Sequence, residues 1–138
     1  MSQFQRIKLL VPKEHAEDAR EHVITLANDA DPLEEREAIV QAVRVELHFP
    51  QFTDGRAYSQ AYLIRRRLGF KGDLRATGEV LVDQLIQLER TGFSSAVLQE
   101  GVDAANAQRH LDRFPAFYQG DVFSAPPFLQ SKAADKVK

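Results

Sequence analysis

The sequence predicts an α/β domain of consecutive βα units on a parallel sheet, resembling a partial (half) βα barrel. Three observations predict it. Gly55, Gly78 and Gly101 stand twenty-three residues apart, and Gly69-Phe70 and Gly92-Phe93 keep that same offset. The first two cycles each run from a short apolar stretch through a polar Gly turn into an amphipathic run that ends in Gly-Phe. A strand–helix–strand succession of this kind calls for parallel strands joined by right-handed crossovers. A small open sheet with helices on both faces is the alternative arrangement.

Residues 6–11 form a short β-capable run closed by Pro12, and residues 13–21 read as a short charged helix. The β-branched residues 23–27 favour a strand, cut off by the turn Asn28-Asp29-Ala30-Asp31-Pro32. Residues 33–42 resume helical spacing, with Leu33, Ile39, Val40 and Val43 apolar and acids in the first turn, where the helix dipole favours them. Residues 45–49 make the next strand. The first repeat helix spans 56–68, with Thr53 or Asp54 as its expected N-cap and Ala57, Ala61, Ile64 and Leu68 as its apolar stripe. Gly69 supplies a left-handed ending. A strand at 73–77 follows, then a helix turning Val80, Leu81, Leu85 and Leu88 inward and ending at Gly92-Phe93. The last strand covers 95–99 and the last helix 103–114. Residues 1–122 are expected to be one domain, and residues 123–138, with Ser124-Ala125-Pro126-Pro127-Phe128 and a Lys-rich end, a flexible tail.

Composition narrows the function classes. A chain of 138 residues with 43% hydrophobic and 28% charged residues is an ordinary globular protein, long enough to bury a core. A net charge of −2 offers no general pull toward nucleic acid or an anionic membrane. The absence of cysteine excludes a disulfide scaffold, a thiolate nucleophile and a cysteine-ligated iron–sulfur cluster. No apolar run reaches the ~20 residues of a membrane helix, and no signal-peptide core opens the chain, so a cytoplasmic protein is expected. The four histidines are scattered without metal-ligand spacing, so no metal site is expected. Neither a G-x-G-x-x-G turn nor a P-loop is present, which leaves any cofactor unknown.

In such sheets ligands bind beyond the carboxyl ends of the strands. That rule collects Asp54, Gly55, Arg56, Tyr58 and Ser59 after one strand and Gly78 after the next, a set able to hold a small oxyanion through backbone amides and a guanidinium. Caps and turns explain the same residues without any ligand. Arg75 falls inside a strand expected to be covered on both faces, where a guanidinium needs an anionic partner. Asp54 is the expected partner; an edge position with the guanidinium in water is the other. Asp83 and Gln84 either join the site or lie on a solvated helix face. Arg65-Arg66-Arg67 reads as a solvated face rather than a nucleic-acid patch.

These motifs carry a resemblance. The segment Phe52, Asp54, Gly55, Arg56, Tyr58 and Ser59 is followed by Gly72, Leu74, Arg75, Ala76 and Gly78, then by Asp83, Gln84 and Leu85, Arg90, Gly92 and Phe93, and finally Tyr118 and Gln119. In this the chain resembles a bacterial family of unknown function described as oxidoreductases of sulfite reduction and encoded beside the haemoprotein of assimilatory sulfite reductase. Where that family often has a cysteine, this chain has Thr91, so a redox thiol there forms no part of its mechanism.

The resemblance implies an accessory protein of assimilatory sulfite reduction, binding a partner such as sulfite reductase, or a small oxyanion, at the strand-end loops. The alternative is an enzyme, an oxidoreductase, acting on a small sulfur compound or oxyanion there, with Arg56 and Arg75 holding the anion and Tyr58 or Asp54 handling the proton. The open sheet edge of a partial barrel also suggests a homo-oligomer.

Overall fold

Two six-residue segments alternate strictly. Arg44, Glu46 and His48 interleave with Val45, Leu47 and Phe49; Asp73, Arg75 and Thr77 interleave with Leu74 and Ala76. Period-two alternation gives a strand one apolar and one polar face. Both segments are strands of a single parallel sheet in the computed structural model, which describes residues 6–53 and 55–114. The expected tail at 123–138, with Tyr118 and Gln119 before it, lies outside the described residues.

The strands are β1 (Lys8–Leu10), β2 (Val23–Leu26), β3 (Arg44–Phe49), β4 (Asp73–Gly78) and β5 (Ser95–Val97), in the spatial order β1-β5-β4-β3-β2. All neighbours pair in parallel, with Val45 opposite Leu74, Ala76 opposite Ala96 and Lys8 opposite Ser95. The sheet stays open between β1 and β2, so no closed barrel forms among the described residues.

From β2 to β5 every crossover steps the same way, and right-handed connections therefore stack their helices on one face. These are α2 (Arg36–Gln41), entered through a 3₁₀ turn at Pro32–Glu35, α3 (Arg56–Tyr62), α4 (Leu85–Thr91) and, after β5, α5 (Ala104–Asp112). Their inward residues, among them Ile39, Ala57, Ala61, Ile64, Leu85, Leu88, Ala107 and Leu111, close over Val45, Leu47, Phe49, Leu74 and Ala76 as one core. At about 1.5–3 kcal/mol for each large side chain taken out of water, this layer is the main source of stability. Among the described residues, the other face is crossed by α1 (Pro12–Glu17) and the segment after it, because the chain must travel from β1 at one edge to β2 at the opposite one.

Helix boundaries depart from expectation in three places. Gly55, not Thr53, occupies the N-cap of α3, with no side-chain cap, and Asp54 lies outside the described residues. The helix expected to run evenly to residue 68 loosens into a π-helical turn at Leu63–Arg67. The next helix opens as a 3₁₀ turn, Val82–Gln84, before α4 proper. The Gly-Phe endings do form: Gly69 and Gly92 are left-handed at φ 71° and 115°, and the Phe70 amide donates back to Ile64 O at 3.1 Å.

Arg65 is the largest correction to the helical pattern. Expected in solvent, it is 2% exposed. The extra residue per turn of the π segment swings it inward, where its guanidinium donates to the carbonyls of Gly92 and Phe70 at 2.9 Å and of Gly72 at 2.8 Å. Burial pushes its pKa down to about 10, which leaves it cationic at neutral pH. Val40 and Val43, placed at apolar positions of their run, are exposed instead.

Candidate functional site

The rim at the carboxyl ends of the strands is laced together by side chains that cross between loops. Gln60 is 4% exposed in α3, and its amide donates to the carbonyls of Ala27 and Ala30 at 2.8 Å, fixing the loop after β2. The loop after β3 is held from the next one: Glu79 accepts from the Phe52 amide at 2.8 Å, while the Gln84 amide group donates to Phe52 O at 2.7 Å. Gln84 also accepts from the Leu81 amide at 3.0 Å, in the manner of a capping box. Gln99 reaches Val80 O at 3.4 Å.

On this rim Gly55, Arg56 and Ser59 are exposed, and so is Phe52. Arg56 and Ser59 continue along the outer side of α3 to Tyr62, which is 51% exposed and carries the Arg66 guanidinium 5.6 Å over its ring. Tyr58 faces inward. Its ring meets Phe49 edge-on at 5.3 Å and Phe93 at 6.5 Å, and its hydroxyl is buried without a hydrogen-bond partner among the described residues. Desolvation raises its pKa, so the phenol keeps its proton.

Gly78 closes β4 at φ 91°. A Cβ there would stand 2.3 Å from Phe49 O and 2.8 Å from the His48 ring, so only glycine lets the two strand ends meet with the imidazole between them. His48 lies on the polar face, 3.4 Å from the Thr77 hydroxyl.

Arg75 is elsewhere. It sits in the middle strand, 2% exposed, which removes the edge alternative. Its guanidinium turns to the amino half of the sheet. Nε donates to Ser95 Oγ at 2.9 Å, one terminal nitrogen lies 2.9 Å from His15 Nδ1, and the other donates to Asp18 at 2.9 Å and Asp73 at 3.0 Å. Asp18 and Asp73 therefore supply the charge expected of Asp54, which lies outside the described residues. Arg44 joins from β3, donating to Asp18 Oδ2 at 3.2 Å and to Glu46 at 2.9 Å. The hydrogen bond from Arg75, with the charges of Arg75 and Arg44, holds the Asp18 pKa below the ordinary carboxylate value against the opposing effect of burial.

Asp83 is exposed at the start of the fourth βα helix, in an open groove that it shares with Asn106, Arg109, His110 and Arg113. The structure thus gathers Gly55, Arg56, Ser59 and Gly78 on one rim, with Tyr58 beneath and Gln84 bracing it. It sets Arg75 apart from them, and Asp83 lines the groove beside α5.

Gln60, Glu79 and the Asp18 network were not anticipated. Gln60 had a signal, since it shares helical spacing with Ala57, Ala61 and Ile64. Asp18 had none, lying in the segment whose path across the sheet only the strand order reveals. Among the described residues no helix is long and apolar enough to cross a membrane.

The family described as "Bacterial protein of unknown function (DUF934)" matches residues 23–129 of the chain. Nothing among the curated proteins or the solved structures matches it.

Proposed function

The chain belongs to that family of bacterial proteins of unknown function, and we propose that it is an accessory protein of assimilatory sulfite reduction, the role that the motif resemblance implies, and that it docks a partner through the carboxyl-end rim. The observation that carries this reading is the exposed set Phe52, Arg56, Ser59 and Tyr62 on loops braced by Glu79, Gln84 and Gln60. Aromatic and arginine side chains presented on a fixed surface are the residues that dominate protein–protein binding, and a pre-braced loop loses little entropy on docking. The motif resemblance supplies the partner, sulfite reductase. Purified sulfite reductase is expected to bind the wild-type protein, and Phe52→Asp and Arg56→Glu are each expected to weaken that binding at least about tenfold, the effect of a hot-spot residue. Equal binding by both variants would refute the rim as the docking surface.

A second reading rests on Tyr58. A protonated hydroxyl with no hydrogen-bond partner among the described residues, two positions after Arg56 in the chain, favours an enzyme that takes a small oxyanion on the rim, with Tyr58 as its donor. Calorimetry with sulfite, comparing wild type and Tyr58→Phe, tests it: binding that is unchanged by the loss of the hydroxyl excludes Tyr58 as the donor.

A further inference from the structure

At the amino end of the sheet, Lys8, Arg20, Arg44 and Arg75 line a cavity of about 160 Å³ together with Asp18, Asp73, Ser94 and Ser95. Four cations face two carboxylates, and Arg44 and Arg75 are 5% and 2% exposed. Glu46 neutralises part of this from the side, through Arg44 Nε. Asp73 is fully used within the strands, accepting from Ser94 and Ser95 on one oxygen at 2.7 and 2.8 Å and from Arg75 on the other at 3.0 Å.

Asp18 differs. It comes from the segment after α1, and its side chain is 26% exposed. It lies across three guanidinia, accepting on Oδ2 from Arg44 at 3.2 Å and Arg75 at 2.9 Å and on Oδ1 from Arg20 at 3.4 Å. Several guanidinia converging on two oxygens of one charged group is how arginines hold a free oxyanion.

We propose that this cavity is a small-oxyanion site whose resident anion is the Asp18 carboxylate, and that an inorganic dianion such as sulfate or phosphate binds there by displacing it. Arg44 and Arg75 hold the incoming anion from the sheet, Lys8 and Arg20 from the rim of the cavity, and the doubly charged ligand outcompetes a singly charged side chain for the same donors. The volume of about 160 Å³ suits an inorganic ion and is below the roughly 300 Å³ at which pockets for drug-sized organic ligands begin. The site is independent of the carboxyl-end rim, at the opposite end of the strands.

Asp18→Ala vacates the position. Calorimetry on the full chain, with chloride at matched ionic strength as the control, is expected to give sulfate and phosphate affinities at least about tenfold above wild type. The anions should also raise the melting temperature of Asp18→Ala more than that of wild type. Adding Arg44→Gln is expected to abolish the gain. Where Asp18→Ala does not fold, Asp18→Asn and a sulfate titration of the wild-type protein by NMR take its place, with shifts expected at Ser94, Ser95 and the Arg75 Nε proton and not at Gly55–Ser59. A folded Asp18 variant that binds no better than wild type, a gain that survives Arg44→Gln, or shifts confined to the rim would each overturn the proposal. Glycerol phosphate is expected to bind more weakly than inorganic phosphate; stronger binding would overturn the assignment to an inorganic ion.

Discussion

Arg65→Met retains most of the buried stem of Arg65 and removes its guanidinium. Three backbone carbonyls, those of Phe70, Gly72 and Gly92, then lose a charged donor at 2.8–2.9 Å. The cation over the Phe70 ring, 5.5 Å from its centroid, is lost too. Each acceptor left unsatisfied costs about 1–3 kcal/mol, and relief from keeping a guanidinium out of water offsets several kcal/mol of the sum. A net loss of about 2–4 kcal/mol is expected, a large share of the 5–15 kcal/mol typical of a domain. With a urea slope of roughly 1–3 kcal/mol/M, the unfolding midpoint should fall by about 1–2 M. Arg65→Lys should fall between the two, since one ammonium cannot replace a planar fork across three carbonyls. Hydrogen exchange should quicken first around Phe70 and Gly92. A midpoint within about 0.3 M of wild type for Arg65→Met would refute the view that this residue pins both Gly-Phe endings.

Gly78→Ala should cost about 2–4 kcal/mol through its positive φ and its clash with Phe49 O and the His48 ring, read as a lowered urea midpoint; a neutral outcome would mean that the strand ends are free to part. Asp18 has a folded pKa below its unfolded value, so it stabilises the fold above the ordinary carboxylate range, and that contribution is lost as the pH falls below about 4. Wild-type melting temperature should therefore drop more steeply below that pH than that of Asp18→Asn; parallel profiles would show that Asp18 adds nothing.

The repeat of Gly55, Gly78 and Gly101 made the parallel sheet legible, because a fixed βα period leaves few topologies open. The polar face was legible too, in the alternation of β3 and β4. A strand covered on both faces is apolar almost throughout, and Arg44, Glu46, Arg75 and Thr77 break that rule at every second residue. Arg75 is buried and paired with carboxylates, as a guanidinium in a covered strand must be, but the partners are Asp18 and Asp73. Arg65 had the weak signal of standing four residues after Ala61, but the π turn in which it lies has no periodic signature of its own. The partners of Arg75 depend on β1 and β2 lying at opposite edges, a non-local fact that no local pattern encodes. On the rim, the turn residues were found and Gln60 had its place in the helical spacing of α3, but the cross-links from Glu79 and Gln84 were not legible, because both residues stand in turns outside any periodic pattern.

The position of β1 bears on how the chain comes off the ribosome. Lys8, Leu9 and Leu10 emerge early, yet the strand that pairs with them, Ser95–Val97, is made only after four βα units have passed. The run β2 to β5 can grow strand by strand, each new strand docking on the one just completed. β1 must wait with an unpaired backbone and two leucines in water, and α1 cannot settle over the polar face until the sheet beneath it exists. β1, made before the run β2 to β5, is thus fitted onto it afterwards, the slow and non-local step of assembly.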